Sequence, residues 1–247
     1  MPVDATRESV FSILSAGNVS GIQWLVNGRP INGAVMAQFS SPELRKGDIV
    51  QAKAMLNGQP VESSQILIKN ILPTIAKAEI TPRIPKANDT LRVDAMGNDK
   101  DGDMVTFKCE WSRNGETAGT NDNLEGPFKR GDKISVKITP FDGEENGQTI
   151  TVTTQIYNSA PKPSGGDEKF ENNLYSFRVK ADDPDGDSLT YKLKRAPAGM
   201  AMDESTGLIT WRITEKDAGR HPVSIQISDG HGGEVLYNYD VTLGFER

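Results

Sequence analysis

Apolar and polar positions alternate with a period of two along most of the chain. Val105, Phe107, Cys109 and Trp111 alternate with Thr106, Lys108, Glu110 and Ser112. Ile134, Val136 and Ile138 alternate with Lys133, Ser135 and Lys137, and Phe177, Val179 and Ala181 alternate with Arg178 and Lys180. Val235, Tyr237, Tyr239, Val241 and Leu243 fall on one face of a last segment. Successive side chains of a strand point to opposite faces, so this pattern predicts half-buried strands of antiparallel sheets. Asn-Gly, Asp-Gly and Gly-Gly pairs at 27–28, 57–58, 114–115, 142–143, 229–230 and 232–233 punctuate the strands and predict hairpin turns. No segment sustains a helical period.

The alternating segments recur. "IQWLVNGRPI" at 22–31 matches "CEWSRNGETA" at 109–118, "LRKGDIVQAKAMLNG" matches "FKRGDKISVKITPFDG", and "IKNILP" ending at Pro73 matches "IYNSAP" ending at Pro161. An acid loop also occurs twice, "GNDKDGDMVTFKC" at 97–109 and "ADDPDGDSLTYKL" at 181–193, with Asp101 and Asp185 84 residues apart. Short strands with turn signals, repeated at the length of a small β domain, predict an all-β chain of three tandem β-sandwiches. The expected boundaries are 1–76, 77–162 and 163–247. The first unit is short: "KAEITP", the first strand of the second unit, has no counterpart in it, and Gly17-Asn18-Val19-Ser20-Gly21 stands where the acid loop would be. The expectation is a piece of a longer protein whose first unit lacks its first strand.

Composition narrows the function classes. Charged residues make up 25% of the 247 and apolar residues 36%, which suits folded, water-exposed domains. A net charge of -6 argues against nucleic acid as a partner. No apolar run approaches a membrane span, and the start, "MPVDATRES", has no apolar leader segment. Cys109 is the only cysteine, so no intrachain disulfide forms.

The third unit carries Asp183 to Asp187, then Leu189, Tyr191, Pro197, Gly199, Asp203, Thr206, Gly207, Ile209, Asp217, Gly219, Asp229, Gly230, Gly232 and Gly233. In this order and spacing they resemble the bacterial cadherin-like (dystroglycan-type) and Putative-Ig modules, with His221 where those modules usually have a corner tyrosine. The first two units resemble the "W-x-x-NG … KGD … DG … N-x-x-P" repeats of large bacterial surface proteins. The resemblance implies Ig-like or cadherin-like sandwiches for all three units and leaves function open, because such folds host many roles.

Two readings of the acid loops stand side by side. Asp and Gly form turns, and an Asp-Gly turn before a strand needs no metal. Yet Asp182, Asp183, Asp185 and Asp187 place four carboxylates in six residues, and close like charges repel unless protonated or bridged by a cation. Calcium, with six to eight hard oxygen ligands, suits such a loop. In an Ig-like sandwich the B–C and F–G loops share one end. The acid loops stand at B–C, and Asp142 and Asp229 stand in the F–G turns. The candidate metal ligands are therefore Asp99, Asp101, Asp103 and Asp142 in one unit and Asp183, Asp185, Asp187 and Asp229 in the next. In a head-to-tail array these loops fall at the junctions between units, where Glu79, Asp167 and Glu168 of the linkers add carboxylates. An EF-hand is rejected: Met104 stands where its turn glycine is required, and a strand follows.

Other motifs read as structure. Arg130-Gly131-Asp132 matches Lys46-Gly47-Asp48 and is a recurring turn before a strand. "GGDEKF" at 165–170 lies in a Pro- and Gly-rich linker without α/β surroundings. The two histidines, His221 and His231, and an inward-facing Cys109 supply no nucleophilic constellation. The expected function is thus non-enzymatic. It is a spacer, scaffold or adhesion module of a bacterial surface or exported protein, stiffened by calcium between units and located at the cell surface, outside the cell or in the periplasm. Its expected partners are neighbouring Ig-like domains of a longer parent and a surface protein or glycan. The rival is a carbohydrate-binding module, which needs exposed aromatic platforms; most of the aromatics fall on apolar faces by parity.

Overall fold

In the computed structural model, which describes residues 4–244, the alternating segments become strands. The first repeat forms β1 (Phe11–Ser12), β2 (Val19–Val26), β3 (Arg29–Pro30), β4 (Gln38–Phe39), β5 (Ile49–Leu56), β6 (Gln59–Glu62) and β7 (Ile66–Leu67). The second forms β8 (Thr74–Thr81), β9 (Thr90–Asn98), β10 (Thr106–Arg113), β11 (Glu116–Gly119), β12 (Asn123–Glu125), β13 (Lys133–Phe141) and β14 (Ile150–Gln155). The third forms β15 (Lys162–Glu171), β16 (Leu174–Asp182), β17 (Thr190–Arg195), β18 (Ala201–Met202), β19 (Leu208–Arg212), β20 (Gly219–Ser228) and β21 (Glu234–Leu243). The one helical element among the described residues is a 3₁₀ turn at Glu215–Asp217.

Each repeat divides its strands between two sheets. The second has β11-β10-β13-β14 and β12-β9-β8, and the third has β15-β16-β19-β18 and β17-β20-β21. The first has β3-β2-β5-β6, with β7 also on β5, and the short pair β1-β4. The pair β1-β4 corresponds to β9-β12, so among the described residues the first repeat has no counterpart of β8. These are three sandwich-like units, as the repeat pattern predicts.

Each sandwich is built on one tryptophan. Trp24, Trp111 and Trp211 are all but fully buried. Their indole N–H groups donate to the carbonyls of Met36 (2.9 Å), Asn121 (2.8 Å) and Ala198 (3.1 Å), so no indole N–H is stranded inside. Trp24 stacks on Phe39 at 5.4 Å. In the third repeat Phe177 stacks on Tyr239 at 4.4 Å, and the inward residues of β16, β19, β20 and β21 close the core. A fully buried large apolar side chain stabilises the fold by about 1.5–3 kcal/mol. His221, at the corner position, donates from Nε2 to the Asp217 carbonyl at 2.7 Å and stands edge-on to Trp211.

The Asn-Gly pairs turn hairpins as expected, with left-handed φ at Asn27, Asn57 and Asn114 and at the glycine after each. Three segments differ from the sequence reading. Asp142-Gly143 is not a tight hairpin but opens the longer connection between β13 and β14. Val19, Ser20 and Gly21 belong to β2, where a bulge between Ser20 and Gln23 absorbs the left-handed Gly21. The stretch "KPSGGDE", expected as linker, is most of β15, paired along its length with β16. Its composition hid this because Gly166 is there for space: a Cβ would meet the Phe177 ring at 2.3 Å.

The described residues fall into two compact units. One holds the chain up to Ala78 with Ala95–Cys109 and Lys137–Ile150. The other holds Glu79–Asp94, Glu110–Val136 and the chain from Thr151. The loop at 99–103 and the turn at 142 thus share a unit with the first repeat, and the loop at 183–187 and the turn at 229 share one with residues 110–136 and 151–162.

Candidate metal centre

Each acid loop is first a turn. Asp99 Oδ1 accepts the backbone N–H groups of Asp101 (2.8 Å), Gly102 (3.0 Å) and Asp103 (3.2 Å). Asp183 Oδ1 accepts those of Asp185 (2.8 Å) and Asp187 (3.3 Å). Gly102 and Gly186 take the left-handed φ that closes these loops. The turn accounts for one oxygen of Asp99 and one of Asp183. Their other oxygens, Oδ2 in both, are buried and accept no hydrogen bond from the protein.

The next aspartate of each loop reaches the chain that ends the preceding repeat. Asp101 Oδ2 accepts the Ile71 N–H at 2.6 Å, and Asp185 Oδ2 accepts the Ser159 N–H at 2.6 Å. Again the other oxygen of each, Oδ1, is buried without a donor. The turn reading leaves these oxygens unexplained.

At the second loop the pattern goes further. Asp183, Asp185 and Asp187 each offer a carboxylate oxygen within 4.8 Å of the others. Asp187 Oδ2, Asn158 Oδ1 and Ser159 Oγ are also buried without a partner, and Ser159 is only 5% exposed. A buried polar atom left unpaired is destabilising, and a cluster of carboxylates more so. All five are hard oxygen donors, three of them anionic, and donors of this kind suit a cation such as calcium better than a soft metal.

Asp142 and Asp229 are held differently. Asp142 Oδ1 accepts the Glu144 and Glu145 N–H groups and Oδ2 accepts the Asn70 amide at 2.7 Å. Asp229 Oδ1 accepts the His231 and Gly233 N–H groups and Oδ2 accepts the Asn158 amide at 2.7 Å. Burial of both opposes their charge, but these hydrogen bonds outweigh it, and both carboxyls titrate below the usual range. In the second and third repeats the F–G aspartate therefore grips an Asn amide; the Asn158 carbonyl oxygen is left without a donor, while that of Asn70 accepts from Lys46 at 3.5 Å. Of the linker carboxylates, Glu79 pairs with Arg83 and Asp167 with Lys180.

Three basic residues complete the picture. Arg130 donates to Asp187 Oδ1 at 2.9 Å, and His231 Nε2 lies 3.5 Å from the same oxygen. Lys46 contacts Asp103 and, at 2.9 Å, Glu144. These contacts, first with Asp103 and then with Glu144, raise the Lys46 pKa. Arg130-Gly131-Asp132 is a turn, as the sequence reading has it: Asp132 is buried and caps the Lys129 N–H. What that reading missed is the reach of the basic residue into the next acid loop. It also missed Asn158 and Ser159 as oxygen donors. The recurrence of Asn70 and Asn158 in "IKNILP" and "IYNSAP" was the available signal.

Residues 167–243 match the model of the family described as Putative Ig domain. A stretch of 143 residues, 56% of the chain, is 34% identical to the integrin beta-like protein A of Dictyostelium discoideum, of which the chain spans 7%. Among solved structures, the eight N-terminal Ig domains of Down syndrome cell adhesion molecule align over 98% of this chain and 35% of that one. They do so at 12% identity and a TM-score of 0.44. The extracellular domains 3–5 of Drosophila OTK align over 96% and 91%, at 12% identity and a TM-score of 0.37. The paired sheets of each repeat are those of Ig-like sandwiches, and residues 167–243 match the Putative Ig domain.

Proposed function

We propose that the chain is a non-enzymatic spacer or adhesion module of a bacterial surface or exported protein, with domains 1–76, 77–162 and 163–247, and that calcium stiffens it between the second and third. The carrying observation is the set of buried oxygens without donors at Asp183, Asp185, Asp187, Asn158 and Ser159. Two of these residues end the second repeat and three belong to the third. A cation on all five ties the repeats across the residues that join them. Affinity is modest, on the order of 10⁻⁴–10⁻³ M, as in extracellular calcium modules. Among the described residues no helix is long and apolar enough to cross a membrane. The rival, glycan binding, finds little support: the three tryptophans are buried, and Tyr157 and Phe170 are the exposed large aromatics among the described residues.

The test is a thermal melt and a scattering curve of the whole chain in calcium and in chelator. Ligand that binds only the folded state raises the melting temperature, and a clamped junction narrows the distribution of end-to-end distances. The doubly substituted Asp185→Asn, Asp187→Asn chain should lose both effects. Calcium-insensitive melts and scattering of the parent would leave the loops as turns.

A further inference from the structure

The two acid loops are copies in sequence, but their surroundings are not. At the first, the Lys46 ammonium has three N–H bonds and three oxygens around it. They are Asp103 Oδ2, Glu144 Oε1 at 2.9 Å and Asn70 Oδ1 at 3.5 Å. At the second, Arg130 stands in the place of Lys46 and reaches the carboxylate of Asp187. The oxygen corresponding to Asn70 Oδ1, Asn158 Oδ1, has no donor. Glu144 is replaced by His231, and Ile71 by Ser159.

The exchanges act in one direction. A planar guanidinium on Asp187 Oδ1 leaves Asp187 Oδ2 without a partner. A compact ammonium takes Asp103 and the Asn70 carbonyl oxygen together. Ile71 offers its N–H to Asp101 as Ser159 does to Asp185, but has no hydroxyl to offer. Asp99 Oδ2 and Asp101 Oδ1 remain as buried oxygens without donors, against five at the second loop. Two oxygens fall far short of the six to eight that calcium takes. Among the described residues, a cluster of three metal-ligating side chains forms at 183–187 only.

We propose that Lys46 is a built-in counterion: its ammonium holds the first acid loop against the first repeat without metal, so divalent-cation binding is confined to the second loop. This rests on the calcium reading of the second loop, but its own claim concerns the first. One chain thus carries a junction that is set permanently and a junction that responds to the ions around it.

The experiment is calorimetric titration of calcium chloride into the chelator-treated whole chain, its Lys46→Met variant and an Asp99→Asn, Asp101→Asn variant. The expected counts are one site in the parent, one in the Asp99/Asp101 variant and two in Lys46→Met. Two sites in the parent, or loss of its site in the Asp99/Asp101 variant, would overturn the proposal. So would a count in folded Lys46→Met no higher than the parent's. A parent with no site and a Lys46→Met chain with one would sink the calcium reading of the second loop while sustaining the role of Lys46. If Lys46→Met does not fold, the Asp99/Asp101 variant decides, since it leaves the lysine in place: an unchanged isotherm sustains the proposal and a lost site overturns it.

Discussion

Arg130 donates to the Asp187 carboxylate at 2.9 Å, joining the turn before β13 to the acid loop between β16 and β17. Lys46 and Asp103 make the same link one repeat earlier. A motif that reads as a local turn is therefore also half of an ion pair, formed by residues far apart in sequence. Asp132 of the same tripeptide is held by the Asn114 amide and the Lys129 N–H.

The Arg130–Asp187 pair is partly exposed, so its contribution is screened by salt. In chelator, Arg130→Ala should lower the melting temperature slightly at low ionic strength and almost not at all in 1 M salt. Arg130→Ala and Asp187→Asn combined should cost less than the sum of the two, since they remove one interaction. Strict additivity, with no salt dependence, would show that the pair adds nothing to stability.

The tryptophans allow a finer test. Trp211→Ala empties a buried site and should cost about 3–5 kcal/mol. Trp211→Phe keeps much of the volume and strands the Ala198 carbonyl that the indole N–H satisfies, so its cost should be smaller and include about 1 kcal/mol for the lost hydrogen bond. Denaturant titration followed by far-ultraviolet dichroism reads both. A near-neutral Trp211→Ala would contradict the burial.

Cys109 lies on the inward face of β10 and is 4% exposed. A thiol reagent must reach the sulfur, and burial denies it access. Labelling should be slow in the native chain and fast in denaturant. Equal rates would mean that Cys109 faces out and the alternation of β10 is read in the wrong phase.

Strand parity and repeat spacing made the architecture legible: the faces of β10, β13, β16 and β21 follow directly from residues 105–111, 133–138, 177–181 and 235–243. The acid loops were legible as well, because carboxylate density is a local property. What could not be read is whatever depends on partners distant in sequence. Nothing near Asn158 says that Asp229 will hold its amide, and nothing near Lys46 says that Asp103 and Glu144 will surround it. The strand β15 was missed for another reason: Gly165 and Gly166 count as loop formers by composition, while Gly166 lets the Phe177 ring lie close and Gly165 takes a positive φ at a register shift of the strand.

The turn between β18 and β19 should give the third repeat a distinctive response to acid. Asp203 Oδ1 accepts the Ser205 hydroxyl (2.7 Å) and the N–H groups of Ser205 and Thr206 (2.9 Å each). Led by the Ser205 hydroxyl, these donors favour the charged carboxylate and bring its pKa down from 3.8 to about 2. In the unfolded chain the same carboxyl takes up its proton near its ordinary value. Between roughly pH 4 and 2 the unfolded state therefore binds more protons than the folded one, and stability falls as pH falls. Above that window the contribution is complete and no longer varies. Asp203→Asn removes the titrating group. The variant should be less stable than the parent at neutral pH, and the gap should close as pH falls from 4 towards 2. Urea midpoints of the third repeat, followed by Trp211 fluorescence in chains carrying Trp24→Phe and Trp111→Phe, would track this. Asp217, whose pKa is also lowered, first by the Thr214 N–H and then by the Thr214 hydroxyl, titrates in the same direction and leaves a residual slope in both proteins. Parallel curves for parent and variant across the window would mean that the Asp203 turn is no more formed in the folded chain than in the unfolded one.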